Sequence, residues 1–336
     1  MKTIELEVFA DEIINEKFIC LGCLFVPSNK KKVLVSDLIN HRCLFEKSKK
    51  WVWNHSDCPF SKECKEQWHN NNKCEIHHTE IRKARSSNSQ IKIAKRWLNY
   101  LIEHNRNNKE LIFINILYID LEMLEINNFG TENYHNNIYN KFFRTVMHYG
   151  ITTFFSEFEK VIIKKVYHDK GSQEFHEYFP ELNLMKLNES ISGKCIIEDT
   201  NINFLESDHN IHIKLKKNSY IEAHLIQYID LIIGTVTQNI FYLSDDSLKK
   251  EIAMILRPLI EKMLKEPHNR FSEYGYYKKQ KISFFPKFKL EDSKNLLFNL
   301  EGNLMEVFKK DQFYSERELK MPYYDVKQSK LNSWVA

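Results

Sequence analysis

The chain has 336 residues, of which 43% are hydrophobic and 13% aromatic, so it can bury a sizeable core and is not globally disordered. Glycine and proline number only 8 and 7, which argues against glycine-rich phosphate loops and proline-rich linkers. The net charge of +4 is too small to indicate a nucleic-acid partner by itself, although it permits one.

Neither a signal peptide nor a membrane helix is predicted. No apolar core follows the first residues, Met1–Glu7. The longest apolar run, Leu225–Tyr242, contains Asp230, which would be costly within a bilayer. We therefore expect a cytoplasmic protein without a membrane partner. Its seven cysteines should be reduced thiols or metal ligands rather than disulfides.

The chain opens with a predicted antiparallel hairpin. Residues 4–11 alternate between apolar and polar side chains, with Asp11 on the polar side, and residues 18–26 are continuously apolar. The elements predicted next are a helix at 30–45, an aperiodic insertion at 46–75, an edge strand at 76–82, a helix at 89–104, a strand at 111–121, a helix at 136–150 and a strand at 160–168.

The remaining elements complete an α/β pattern. They are a helix at 172–188, one or two strands within 194–206, a buried helix at 221–241, an amphipathic helix at 246–265, a strand at 281–285 and a helix at 293–309. Strands that alternate with helices after a hairpin indicate an α/β fold with a mixed sheet. We predict a main domain at 1–244, with the insertion at about 46–75, and a C-terminal helical extension at 245–336.

Acidic residues end three of the predicted strands, namely Asp11, Asp120 and Asp169. Ligands of α/β folds often bind at the carboxyl ends of strands, so these side chains are candidate site residues. Aspartate is also favoured in turns and at helix N-caps. Both interpretations stay open for each residue.

Asp230 lies within an otherwise apolar helix. At helical spacing it shares one stripe with Gln227, Gly234 and Gln238. Gly234 would let this helix approach the sheet closely. A buried carboxylate needs a cationic side chain, a proton or a metal as its partner. The pattern therefore favours a metal ligand, with a buried salt bridge as the alternative.

Glu80 is the fourth candidate acid. In an extended segment it would share a face with His78, although an exposed, charged edge strand is the ordinary alternative. Carboxylates that converge repel one another unless cations neutralise them, and Mg²⁺ or Mn²⁺ suits such oxygen ligands. Two such ions can activate a water and stabilise the leaving oxygen of a phosphodiester.

Several motifs resemble the "domain of unknown function 3800" family. They are Phe9–Ile13 followed by a strand, the His-x-x-Glu segment His77–Glu80, the strand end Val166–Lys170, and Phe204–Ser207 followed by the helix Leu225–Gly234. They cover about residues 4–240 in the family's order. Ile13 replaces a serine of the usual pattern, and the insertion and the region after 245 lie outside the usual core.

The resemblance implies a ribonuclease H-like mixed sheet flanked by helices, with Asp11, Glu80, Asp169 and Asp230 as metal ligands and catalytic residues. It also implies a Mg²⁺- or Mn²⁺-dependent nuclease acting on DNA or RNA, with a role in phage defence. Asp120 is the reserve ligand. The alternative function is a non-catalytic nucleic-acid- or protein-binding module of the same fold, acting as a partner subunit or as a homo-oligomer.

Cysteine and histidine side chains cluster in the predicted insertion. The spacing of Cys58, Cys64, Cys74 and His77 would allow a structural zinc site, although it fits no common zinc-finger pattern. A surface insertion with incidental thiols is the alternative, and a zinc-stapled adaptor would be the corresponding function. His77 also lies three residues before Glu80, so one short segment would have to serve two sites.

A basic stretch follows Glu80 directly. Arg82, Lys83 and Arg85 could hold the phosphates of a nucleic acid beside the carboxylates. A solvated, charged loop is the equal alternative.

Overall fold

The computed structural model describes residues 2–43, 74–83, 86–106, 110–122, 124, 126–130, 134–265 and 279–285. Cys58, Cys64 and Arg85 lie outside the described residues, as does the helix predicted at 293–309.

Within the described residues, seven strands form one mixed sheet. They are β1 (Thr3–Ile14), β2 (Phe18–Pro27), β3 (Phe113–Asp120), β4 (Lys160–Asp169), β5 (Cys195–Ile197), β6 (Ile202–Leu205) and β7 (Gln280–Phe285). The order is β5-β4-β1-β2-β3-β7, and β6 continues along β4 beyond β5. Strand β2 is antiparallel to β1 and β3, whereas β1 and β4 are parallel. The carboxyl ends of β1, β3 and β4 therefore share one edge of the sheet.

Helices cover both faces of the sheet. They are α1 (Lys31–His41), α2 (Asn88–Arg106), α3 (Tyr134–Phe154), α4 (Leu182–Ser190), α5 (His209–Lys214), α6 (Tyr220–Phe241) and α7 (Ser247–Lys265). One apolar core lies between the sheet and helices α1, α2, α6 and α7. A second lies between the sheet and helices α3 and α4. The predicted α/β architecture with a mixed sheet flanked by helices is confirmed.

The opening hairpin follows the predicted pattern. Residues Ile14 and Ile19 face each other next to the turn. Because neighbouring side chains on a strand point to opposite faces, Phe9 packs in the first core and Ala10 in the second. The same rule separates Cys20 from Cys23, which are both fully buried, free thiols on opposite faces.

Helix α6 packs on β1 and β2 and is buried along most of its length, since every residue from 223 to 238 is buried. Its approach to the sheet depends on Gly22 of β2, where a Cβ atom would lie 2.3 Å from Ile233 Cγ2. The expectation that Gly234 allows this approach was wrong. Gly234 faces the ring of His78 instead, and a Cβ atom there would lie 2.1 Å from His78 Cγ.

Two predicted elements differ in the structure. The segment around Glu80 is a 3-10 turn, His78–Glu80, and not an edge strand, because α6 rather than the sheet binds its backbone. The helix predicted at 172–188 is divided into a 3-10 turn, Ser172–Phe175, and helix α4. Pro180 explains the division, since proline lacks an N–H group and disfavours helical backbone in the preceding residue.

The region after 245 is not only helical. Helix α7 packs against α6 and α2, and β7 pairs in parallel with β3. Its described part thus joins the same layers as residues before 244 and adds a strand to their sheet. Among the helices that the structure describes, none has the length and apolar character to cross a bilayer.

Candidate active site

A cavity of about 380 Å³ opens where the carboxyl ends of β1 and β4 meet α6. Its charged and imidazole side chains are Asp11, Glu12, Asp169, Asp230, His77, His78, Lys170 and Lys249. Apolar and small residues, among them Ile14, Gly234 and Leu243, complete the wall. Three of the four predicted acids thus line one cavity, although they come from distant parts of the chain.

Asp11 lies near the end of β1, on the side of the sheet that faces α6. It pairs with Gly22 across the hairpin and accepts a hydrogen bond from the Glu12 backbone N–H at 2.8 Å. Burial raises the pKa of the Asp11 carboxyl well above its usual range, and the charges of Asp230, Glu12 and Asp169 raise it further. The carboxylates in this cavity therefore repel one another.

Glu12 is a site residue that the sequence analysis did not assign. Its Oε2 lies 3.2 Å from Nε2 of His168, which is fully buried on β4. The Nδ1–H of His168 donates to the Asp169 carbonyl at 2.7 Å, so Nε2 of the neutral ring is an acceptor. That nitrogen already accepts from the Tyr139 hydroxyl at 2.5 Å, so Glu12 is a close neighbour of the ring and not its established hydrogen-bond partner.

Burial sets the charge states of these two groups. It lowers the pKa of His168 to about 4, which favours the neutral ring. Burial and the charge of Asp169 raise the pKa of Glu12 to about 8, which favours the protonated carboxyl at neutral pH. The only signal in the sequence was that Glu12 directly follows Asp11, and alternation along a strand argued against both side chains reaching one cavity.

Asp169 ends β4 and Asp230 lies midway along α6. Burial and the charge of Asp230 raise the pKa of Asp169 to about 7. Burial also raises the pKa of Asp230, against the opposing effect of His77 and the His78 N–H. That N–H donates to Asp230 Oδ2 at 2.6 Å.

The ring of His77 lies close to the Asp230 carboxylate but does not donate a hydrogen bond to it. Its Nδ1 lies 3.6 Å from Asp230 Oδ2 and also accepts the Thr79 N–H at 3.3 Å. A nitrogen that accepts this hydrogen bond has no proton to donate to Asp230. The backbone of His78, and not the ring of His77, therefore provides the hydrogen bond to this carboxylate.

The polar stripe of α6 fixes the segment that carries His77 and His78. Gln227 Oε1 accepts from the Ile76 N–H at 3.1 Å and from Arg42 Nη2 at 2.5 Å. Arg42, which is buried, also donates to the Cys74 carbonyl and lies over the ring of Trp97. Gln227 and Asp230 thus hydrogen-bond the segment that carries His77 and His78, and Gly234 makes room for it. Tertiary contacts therefore set the position of this segment.

Glu80 is not among the residues that line the cavity. Its side chain is exposed, and its charge acts on Lys249 at the cavity wall. Its role as a metal ligand stays a prediction. Asp120, the reserve ligand, is also outside the lining, and its Oδ1 accepts the Glu122 N–H at 2.9 Å, as a turn residue does.

The remaining predicted residues lie around the same turn. Arg82 and Lys83 are exposed, and the Lys83 N–H donates to Asp246 at the start of α7. Cys74 is half-buried, with its Sγ 3.8 Å from Ser87 Oγ. The zinc site stays untested because Cys58 and Cys64 lie outside the described residues.

The donor set of the cavity is suited to a divalent cation. Asp11, Glu12, Asp169 and Asp230 offer only oxygen atoms, as Mg²⁺ and Mn²⁺ prefer, and a cation would offset the burial and the mutual repulsion that raise the pKa values of Asp11 and Asp169. Across the part of the chain that the structure describes, no three His, Cys, Asp or Glu side chains are already arranged to hold a metal ion. The fit is therefore one of donor chemistry and charge.

Comparison of the chain with family models, curated proteins and solved structures gave no match.

Proposed function

We propose that this protein is a divalent-metal-dependent nuclease that hydrolyses phosphodiester bonds of DNA or RNA. The observation that carries the proposal is the convergence of four acids, Asp11, Glu12, Asp169 and Asp230, in one cavity at the carboxyl ends of parallel strands. Three of them are the acids that the family resemblance implies. The mixed sheet flanked by helices is consistent with the ribonuclease H-like fold that the resemblance also implies.

The chain's own residues have distinct tasks in this proposal. Asp11, Asp169 and Asp230 would hold Mg²⁺ or Mn²⁺, and Glu12 would release its proton and complete the oxygen ligands. When bound, the cation supplies Lewis acidity and lowers the pKa of a water that attacks phosphorus. The His78 N–H orients Asp230.

One observation favours a second candidate, a non-catalytic binding module of the same fold. That function predicts that at least one of the four acids implied by the resemblance stands apart, and Glu80 lies outside the cavity lining. The nuclease is the stronger proposal because Glu12 supplies a fourth carboxylate within the same cavity.

The deciding experiment is an assay with labelled single- and double-stranded DNA and RNA in Mg²⁺ or Mn²⁺. Asp230→Asn keeps an oxygen that accepts the His78 N–H but removes the charge. Because losing a mere hydrogen-bond partner of a ligand costs about 10–100-fold in activity, losing the ligand should cost at least about 100-fold. Asp208→Asn is the matched control, since asparagine caps helix α5 as well as aspartate does.

Metal-dependent cleavage that survives in Asp208→Asn and is lost in Asp230→Asn supports the nuclease. Oligonucleotide binding without cleavage in any of the three proteins favours the binding module. Absence of both cleavage and Mg²⁺ or Mn²⁺ binding by calorimetry would contradict a metal-dependent enzyme.

A further inference from the structure

Lys249 is a nearly buried cation inside the acidic cavity. Its residue is only 9% exposed and lines the cavity together with Asp11, Asp169 and Asp230. Among the described residues, no carboxylate oxygen lies within ion-pair distance of its ammonium group. Asp230, Asp246 and Glu80 attract it from beyond that distance, so the fold retains a buried ammonium group without a direct ion pair, which is costly.

The start of α7 explains why this side chain enters the cavity. Asp246 Oδ1 accepts the Leu248 N–H at 2.9 Å and the Lys249 N–H at 3.4 Å, while its Oδ2 accepts the Lys83 N–H. One side chain thus caps α7 and ties it to the turn that follows Glu80. Because Asp246 already binds these backbone groups, the ammonium of Lys249 is left as a donor for a ligand on the α6 and α7 side of the cavity, while the exposed Lys170 lines the end of β4.

The surroundings of Lys249 define the chemistry of that ligand. Acids able to hold cations line the same cavity, so a ligand that touches both must carry negative charge shared among several oxygens, as a phosphate does. Ile14 and Leu243 also line the cavity and are 39% and 46% exposed. Such an apolar border can pack against a sugar or a base beside the phosphate.

We propose that Lys249 binds the phosphate of a nucleic-acid substrate within the acidic cavity. This inference rests on the proposed nuclease function and adds the group that recognises the substrate anion. Lysine would act as a point charge on a phosphate oxygen while the carboxylates hold the cations. Lys249 belongs to α7, beyond the part of the chain that carries the family resemblance.

Equilibrium binding tests the proposal without requiring turnover. Short fluorescein-labelled single-stranded DNA and RNA are titrated in Ca²⁺ at several salt concentrations with the wild type, Lys249→Met, Lys249→Arg and Lys250→Met. Lys250 is the matched control, because its ammonium pairs with Asp245 and lies over Tyr242 outside the cavity. Its loss changes the net charge equally, one residue away.

Lys249→Met should bind about tenfold more weakly, as expected for one lost charge-assisted contact. The slope of log affinity against log salt should fall by about 0.7, the value for one phosphate contact on a single strand. Lys249→Arg should keep the wild-type slope, and Lys250→Met should change neither quantity. Because methionine removes both the cost of burying the charge and its attraction to Asp230, the melting temperature of Lys249→Met should stay close to that of the wild type.

Several results would overturn the proposal. One is a Lys249→Met protein with unchanged slope and lowered melting temperature, which identifies Lys249 as a structural counter-charge of Asp230. Another is an equal effect of Lys250→Met. Cleavage that does not depend on Lys249 would leave the nuclease standing and remove this inference. Binding that depends on Lys249 but is followed by no cleavage in Mg²⁺ would support phosphate binding by Lys249 and contradict the nuclease. Failure to bind either oligonucleotide would contradict both proposals.

Discussion

Glu12 and Glu80 are both candidates for the fourth carboxylate of the site. The family resemblance assigns it to Glu80, which is exposed on a 3-10 turn outside the cavity lining. The structure instead brings Glu12 into the cavity beside His168, where burial and the charge of Asp169 raise its pKa. A residue adjacent to Asp11 reaches the same site because β1 ends there and the cavity opens across its last residues.

Glutamine substitutions separate the two. Glu12→Gln keeps the shape of the protonated acid but removes a metal ligand, so metal-dependent cleavage should fall at least about 100-fold while the melting temperature is retained. Glu80→Gln should keep most of the activity. Initial cleavage rates and thermal melting of both variants check this. The opposite ranking would show that Glu80 is the ligand and that the turn moves toward the cavity.

Helix α6 organises the site through two kinds of contact. Its apolar side packs against β1 and β2, while its polar stripe binds the segment before Glu80. Gly234 belongs to the second contact, since the ring of His78 occupies the space that a larger side chain would need. The turn with His77 and His78 is therefore held by a helix that also carries a candidate metal ligand.

Gly234→Ala should detach this segment. The added Cβ atom would lie 2.1 Å from His78 Cγ, so the ring and the N–H that binds Asp230 must shift. We expect a loss of about 1–3 kcal/mol in unfolding free energy, typical of overpacking, together with weaker metal binding. Urea unfolding and calorimetry measure both.

Gly193→Ala is the control, because nothing lies within 4 Å of the added atom. The control should leave metal binding unchanged and should not lower stability. Equal stability of the two variants would show that the contact between Gly234 and His78 does not restrain the turn.

The acids of the cavity affect the stability of the whole molecule. Asp11, Asp169 and Asp230 are far apart in the sequence, and folding brings them into one cavity in which each has a raised pKa. An acid whose folded pKa exceeds its unfolded pKa stabilises the fold fully below the unfolded value. That contribution is lost as the pH rises through the folded pKa.

Without divalent cations, the melting temperature should therefore fall as the pH rises from about 7 to about 8, through the pKa values of Asp169 near 7 and Glu12 near 8. Below about pH 7 the buried histidines His78 and His168 act in the opposite direction, because burial lowers their pKa values and the unfolded chain then binds more protons at those sites. Mg²⁺ or Mn²⁺ should raise it, most at the upper end, because the cation binds the ionised acids. Differential scanning fluorimetry measures this, with NaCl of matched ionic strength as the control. A melting temperature that rises over this interval without metal would contradict the conclusion that burial and mutual repulsion raise the pKa values of the acids in the cavity.

The residues alone were enough to predict most of the local elements. Alternation in β1, continuous apolar runs in β2 and β3, and the apolar length of α6 identify these elements because the periods of strands and helices differ. They also indicated candidate acids. Asp11, Asp120 and Asp169 were predicted at strand ends, although β1 continues to Ile14 and Asp120 lies outside the cavity lining. A carboxylate in an apolar helix needs a partner, which indicated Asp230.

Tertiary contacts determined the rest. The segment before Glu80 carries no periodicity, so its turn follows from hydrogen bonds to Gln227 and Asp230, more than 140 residues away in sequence. Glu12 and Lys249 carry no local signal, since an acid after Asp11 and a lysine in an amphipathic helix are ordinary on solvated faces. The positions of these two side chains depend on which strand ends lie next to which helix starts. Long-range packing determines that arrangement, whereas the local sequence determines only the conformation of each element.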